Sequence, residues 1–227
     1  MPTQTQSSPA PRRQQMRSVA TRERLVQATL DEIYDVGYHA ATTQEISKRA
    51  QVSRGALLHH FPTRAELILA AMETLLEDGI GQIRRVAGDV QDGRVSLEDF
   101  VEFLWQLFSG RFFYLSLEMI TEARNDPALR APLIPIVKRF HGELDAIWLV
   151  FCDPQRRPPR QAAVILNLTV CLMRGMGVQA VLRPEPGYFR ELVTAWKTLL
   201  PHIIDGEPGD MMFSKRKHPA GAKGFTP

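Results

Sequence analysis

Residues 42–61 read TTQEISKRAQVSRGALLHHF, and their pattern is that of two short helices with a break between them. Thr42 or Thr43 offers a side-chain oxygen to the unpaired amides of a helix start. Ile46 and Ala50 then share one face of a short helix, because residues four apart stack along the helix axis. Gln51-Val52-Ser53 interrupts it. Ser53 is placed to cap a second helix, in which Leu57 and Phe61 are again four apart. Ile46, Ala50, Val52 and Leu57 can therefore close over one small core, which makes the pair a helix-turn-helix. The second helix has about eight residues and is about 12 Å long, a match to the major groove of B-DNA, which is about 12 Å wide.

The surrounding chain is helical in pattern almost throughout. Val19, Leu25, Val26, Thr29, Ile33 and Val36 recur at three- and four-residue steps before Gly37, a residue suited to end a helix. Leu67, Ile68, Ala71, Leu75, Ile80 and Ile83 mark a longer helix. Phe100, Phe103, Leu104, Leu107 and Phe108 mark another, entered by Ser96 with Asp99 three residues on. An apolar segment covers residues 112–120. A helix from Asp126-Pro127 is expected to run to about Phe151, with Pro132 and Pro135 bending or interrupting it. After a Pro-rich break at 154–159 come a long apolar helix, about 160–182, and a last one through Phe189, Val193, Trp196 and Leu200. No alternating segment with hairpin punctuation is present, so the expected class is all-α. Residues 1–16 and 206–227, polar and rich in Pro, Gly, Gln or Lys, are expected to be disordered arms. That leaves a DNA-binding domain over 17–66 and a larger helical domain over 67–205.

Composition sets the outer bounds. With 227 residues, 44% hydrophobic and 23% charged, the chain is that of a globular protein. Its two cysteines, Cys152 and Cys171, are too few for a disulfide framework and are expected to be reduced. No uncharged run approaches the ~18 apolar residues of a membrane span, and the N-terminus lacks an apolar signal core, so a cytoplasmic location is expected. The formal charge of +3 is unevenly spread: residues 1–66 carry +3, residues 67–205 carry −2 and residues 206–227 carry +2. A basic front permits contact with a polyanion. A basic arm with no specific partner has the same charge.

With its flanks, from about Arg22 to Ala71, the opening stretch resembles the DNA-binding domain of the tetracycline-repressor (TetR) family of bacterial regulators. The residues that carry the resemblance are Gly37-Tyr38 after an apolar first helix, Thr42-Thr43, Glu45-Ile46-Ser47, Ala50, Val52-Ser53-Arg54-Gly55-Ala56-Leu57 and His60-Phe61-Pro62-Thr63-Arg64, leading into Glu66-Leu67. Two departures stand out. Gln51 occupies a turn position where the family usually has Gly, and that position often needs φ > 0. Leu58-His59 stands where family members more often present aromatic residues to DNA.

The resemblance implies roles, each with a plainer alternative. Thr43 would donate to a phosphate, or be an N-cap and nothing more. Gln44 would reach base edges or sit in solvent. Arg54 would meet guanine or phosphate, Ala56 a thymine methyl, and Gly55 would allow close approach of the backbone. Leu58 and His59 would face the duplex. His59 and His60 would contact phosphate or base; as helix neighbours ~100° apart they do not share a face for a metal. Arg64 would clamp a phosphate or be a solvated surface residue. Arg12, Arg13 and Arg17 would add sequence-independent attraction, or only solubility.

For the larger domain the resemblance implies dimerisation and a ligand pocket. Trp105, Phe108, Phe112, Met119 and Trp148 are candidate pocket linings, though aromatic residues at helical spacing equally build a plain core. Asn167 and Arg174, polar in an apolar helix, are candidates to orient a ligand, with Glu118 and Glu122 as further polar groups. The last two helices are the expected dimer interface, with Gly175, Met176 and Gly177 where helices approach. The function implied is a homodimeric repressor that binds a palindromic operator in double-stranded DNA and responds to a small, largely apolar effector. A ligand-insensitive architectural DNA-binding protein is the alternative. No phosphate loop, nucleophile elbow or metal-ligand spacing suggests an enzyme, a cofactor or a metal.

Overall fold

Apolar side chains recurring every three or four residues give helices that each bury one face, and here those faces meet in a single continuous core. The computed structural model describes residues 10–149 and 159–205. Among them all regular structure is helical: α1 Ala10–Val36, α2 Thr43–Arg49, α3 Arg54–His60, α4 Arg64–Gln91, α5 Leu97–Ser109, α6 Arg111–Asn125, α7 Pro127–Trp148, α8 Pro159–Leu182 and α9 Pro186–Asp205. The all-α expectation holds.

Local signals explain most boundaries. Gly37, at φ 84°, ends α1 in the left-handed conformation that favours glycine. Ser96 and Asp99 form a complete capping box at the start of α5. Asp126 caps α7 through the amides of Ala128 and Leu129, with Pro127 in the first turn.

Three expectations need correction. Helix α1 begins at Ala10, so residues 10–16 are not part of a disordered arm. Ala, Gln, Arg and Met extend the helix on propensity alone, and Pro11 is tolerated in the first turn. Of the two outcomes expected at Pro132 and Pro135, interruption does not occur: helix α7 continues through both, held by Leu129, Leu133, Phe140, Leu144, Ile147 and Trp148 on its buried side. Helix α8 is, by length and composition, apolar enough to cross a membrane over Gln161–Leu182, which the count of uncharged runs missed because Arg174 divides it. Its Ala162, Ile165, Leu166, Val170, Met173 and Met176 are buried in the core. Residues 1–9, 150–158 (with Cys152 and the expected end of α7) and 206–227 lie outside the described residues.

The long α4 starts directly after α3, packs against α1 at one end and against α7 along its length, and so joins the two parts of the chain. The expected division at residues 66 and 67 falls inside its first turn. Helices α5 and α8 form the centre of the C-terminal part, where Phe100, Phe108, Leu104 and Trp148 are fully buried.

Candidate nucleic-acid interface

Each helix around the interface starts on a hydroxyl. Thr42, extended at φ −78° and ψ 154°, accepts from the Glu45 amide at 3.2 Å and caps α2. Ser53 accepts from Ala56 at 3.2 Å and caps α3, and Thr63 accepts from Glu66 at 3.2 Å and caps α4. In the turn, the Val52 amide donates to Ser47 at 3.0 Å. Gln51 sits at φ 53°, the left-handed region in which a side chain is strained. The glycine-like position is thus occupied here by a residue that pays for it.

Inward, Ile46, Ala50, Leu57 and Phe61 are buried, with Val52 packed against them. Polar ties lock this small core to α1. Arg49 reaches Glu32 at 2.6 Å and Asp35 at 2.7 Å, and the hydrogen bond that it donates to Asp35 is the main cause that raises its pKa. Glu32 is buried, so without Arg49 it would be an uncompensated charge. Arg22 lies over the Phe61 ring, its guanidinium carbon 5.3 Å from the centroid.

Arg64 is not the solvated surface residue of the plainer alternative. Half-buried, it donates to the Tyr38 carbonyl and, at 3.3 Å, to the Ala41 carbonyl, and its guanidinium lies 4.2 Å over the Tyr38 ring. It therefore braces residues 38–41, the segment that delivers Thr42 and Thr43 to the start of α2. The same segment is held from α6, where Glu118 accepts from the Tyr38 amide at 3.2 Å and Glu122 lies 3.0 Å from His39.

The outward face is what remains. On α3, Arg54, Gly55, Leu58 and His59 are exposed together, with Ala56 and His60 half-buried on the flank. Arg54 has no ion-pair or hydrogen-bond partner among the described residues. A Cβ at Gly55 would meet nothing within 4 Å among the described residues, so no contact with them requires glycine there. On α2, Thr43 is half-buried at the first position and Gln44 is exposed. Lys48, one turn on from Gln44, shares its face and was missed in the sequence; its four-residue spacing was the available signal. The His59 and His60 rings meet edge to face at 5.5 Å. No group of three metal-ligating side chains occurs among the described residues. Arg17 is exposed, and the side chains of Arg12 and Arg13 lie outside those described.

The candidate ligand residues do not form one set. Trp105 stacks on Phe189 of α9, with centroids 5.7 Å apart. Phe108, Phe112, Met119 and Trp148 are buried core, and Trp148 packs on Phe100 at 6.1 Å. Asn167 is a correction: it is exposed on the outer face of α8 and its amide donates to Ala163 of its own helix at 2.8 Å. Arg174 instead turns inward over the Phe108 ring. Glu118 and Glu122 face the 37–39 segment, not the interior of the bundle. Met176 is also a correction, since it points into the core. Gly177 allows close approach within the chain, where a Cβ would lie 2.3 Å from the Phe108 carbonyl oxygen.

Comparison with known proteins agrees with this arrangement. Residues 25–71 match the family of bacterial regulatory proteins named tetR. The HTH-type transcriptional regulator CymR of Pseudomonas putida is 29% identical over 185 residues, 82% of this chain and 91% of the relative. Among solved structures, a TetR-family member from Streptomyces coelicolor superposes with a TM-score of 0.60 at 21% identity, covering 81% of this chain and 98% of its own. The multidrug binding protein EbrR, complexed with imidazole, gives 0.58 at 21% identity, covering 81% and 94%. Capped helices, a braced turn and an exposed α3 face all fall inside residues 25–71, the segment that matches the tetR family of bacterial regulatory proteins and folds as its helix-turn-helix DNA-binding domain.

Proposed function

We propose that the chain is a homodimeric transcriptional repressor, acting in the cytoplasm and not an enzyme, which reads a palindromic operator with α3 and is controlled by a small, largely apolar effector. Residues 17–66 supply the DNA-binding domain and 67–205 the effector and dimer domain. The observation that carries this reading is the outward face of α3: a capped helix on a rigid frame, with Arg54, Gly55, Leu58 and His59 turned away from the core. Thr43, Gln44, Ala56 and His60 complete the set assigned to DNA, and Arg64 serves it as the brace of the segment that delivers Thr43.

Dimerisation is supported by a second apolar face. On α8, Leu168, Cys171, Gly175, Val178 and Leu182 recur at three- and four-residue steps and are exposed, Leu182 at 90%. On α9, Leu199 is exposed beside half-buried Leu192, Trp196 and Ile203. A contiguous apolar face of this kind marks a protein contact. Two copies joined there would present two α3 helices, which a palindrome with half-sites about one helical turn apart accommodates.

Selection of bound duplexes from a random pool tests the reading. The expected product is an inverted repeat with half-sites centred about 10 base pairs, or a multiple of that, apart. A pool that shows no enrichment over random competitor overturns it.

A further inference from the structure

On the outside of the C-terminal part, Arg84, Arg111, Arg139 and Arg183 are answered by carboxylates. Three cations that share one face are not. Arg124 at the end of α6, and Arg130 and Lys138 on α7, are exposed, and their side chains have no ion-pair or hydrogen-bond partner among the described residues. They rim a groove of 460 Å³ between α6 and α7. Its floor is apolar and buried, formed by Met72 of α4, Ala123 of α6 and Leu133 of α7. Its walls carry Ile120 and Ile134, which are 50% and 45% exposed. Among the described residues no carboxylate lines it.

Spacing gives the groove its pattern. Arg130, Ile134 and Lys138 follow one another at four-residue steps and make one ridge of α7: cation, apolar, cation. Ile120 and Arg124 make the facing ridge of α6 in the same way. Arg130 and Lys138 are two helical turns apart, about 12 Å along the axis. A single carboxylate therefore meets one of them, whereas acids repeated along a chain meet both. The sunken floor takes a row of side chains better than it takes a flat surface. An amphipathic helix has both features, an apolar ridge at three- and four-residue steps and room for acidic residues on either flank.

We propose that the groove between α6 and α7 is a docking site for an amphipathic helix of another protein, one whose apolar ridge is flanked by Asp or Glu. Ile120 and Ile134 grip the ridge, its side chains fill the space over Met72 and Leu133, and Arg124, Arg130 and Lys138 pair with the flanking acids. Charges on a rim set register and encounter rate more than affinity, so the apolar ridge supplies most of the binding. No residue of α1, α2 or α3 lines the groove, so the docked helix leaves the outward face of α3 free. The binding needs neither DNA nor an effector.

The test uses the full chain without DNA and labelled peptides of about 16 residues, with Leu at three- and four-residue steps and either Glu or Lys on both flanks. In fluorescence anisotropy the Glu peptide binds. The Lys peptide does not, nor does a peptide of the same composition as the Glu peptide with its Leu residues scattered around the helix. Ile134→Ser weakens the Glu peptide about tenfold, the loss expected when a half-exposed isoleucine no longer contributes its apolar surface, and Ile120→Ser acts likewise. Arg130→Glu with Lys138→Glu loses the Glu peptide and gains the Lys peptide, a switch that also shows the variant to be folded. Arg85→Glu, at an exposed cation outside the groove, changes affinity by less than about twofold. No peptide binding, equal binding of the scattered peptide, unchanged affinity in both isoleucine variants, or charge reversal without the switch overturns the proposal. So does decanoate, or a vesicle of phosphatidylglycerol, bound through Ile134 where the Glu peptide is not. Loss of self-association in Arg130→Glu with Lys138→Glu assigns the groove to a second copy and overturns it as well.

Discussion

Arg64→Ala separates a brace from a phosphate clamp. In the folded chain the guanidinium donates to the carbonyls of Tyr38 and Ala41 and lies 4.2 Å over the Tyr38 ring. A hydrogen bond from a charged donor contributes about 1.5–3 kcal/mol when sheltered, and a cation over a ring about 0.5–1 kcal/mol when exposed. Arg64 is only half-buried, and water replaces part of what is lost, so the expected destabilisation is about 2 kcal/mol. For a chain of this size that lowers Tm by about 4–8 °C. Circular dichroism melts measure it, and fluorescence anisotropy on a selected duplex over a series of salt concentrations measures the rest. Binding weakens on every sequence, because Thr42 and Thr43 are no longer delivered in place, while the salt slope is preserved. Arg64→Lys recovers little, since an ammonium cannot fork between two carbonyls and cover a ring at once. If Tm instead stays within a degree and the slope of log K against log salt falls by about 0.9, Arg64 is a phosphate contact and the brace is refuted.

Two other perturbations follow from the geometry. Gln51→Gly removes about 1–2 kcal/mol of left-handed strain and adds about 0.5–1 kcal/mol of chain entropy cost, so Tm rises by about 1–3 °C; a melt showing a lower Tm would mean that the turn is not strained. On α8, Leu168→Glu leaves a folded chain that sediments as a monomer, whereas Met176→Glu, at a side chain 2% exposed, unfolds it. A Leu168→Glu protein that sediments as a dimer with unchanged affinity removes the α8 face from the interface.

The helix-turn-helix was legible in the sequence because its determinants are local. Thr42, Ser53 and Thr63 each cap within three residues, and Ile46, Ala50, Leu57 and Phe61 close the core at four-residue steps. Even the odd residue of the turn was legible, for Gln51 takes the positive φ that glycine would take. The polar residues of α8 were not. Asn167 and Arg174 stand seven apart, which puts them within about 20° of the same helix face, and no periodicity can separate them. Their surroundings and lengths do: the short Asn167 bonds its own helix at Ala163, while the longer Arg174, level with α5, reaches Phe108. The role of Arg64 was equally hidden, since its carbonyl partners lie 26 and 23 residues away in the chain. Gly177 looked like an outward small residue because a glycine says that something comes close without saying which helix. By contrast the stripe Leu168, Cys171, Gly175, Val178 and Leu182 was available in the spacing and was overlooked.

Tyr38 shows how the two parts of the chain are joined. Its amide donates to Glu118 of α6, its carbonyl accepts from Arg64 of α4, and its ring lies beneath that same guanidinium. The entrance to α2 is thus set by α4 and α6 together. These helices meet again where Phe112 of α6 presses on α4 at Gly79, a contact so close that a Cβ there would lie 2.5 Å from the ring. An apolar ligand that displaced Phe112 would have to move one of the two helices. The grip of α6 on the 37–39 segment is small: one hydrogen bond to Glu118, about 1 kcal/mol, and an exposed pair between His39 and Glu122, at most about 1 kcal/mol. Through that contact alone a ligand changes DNA affinity by about 5- to 30-fold, the range typical of coupling between sites. A larger effect requires the second route, through α4 and the brace at Arg64, and no ligand can exceed its own difference in affinity for the two states. Glu118→Ala with Glu122→Ala removes this contact and leaves α4 intact, so the response that survives in the double variant measures how much of the coupling runs through the long helix and through the ion pair of Arg111 with Asp31 of α1.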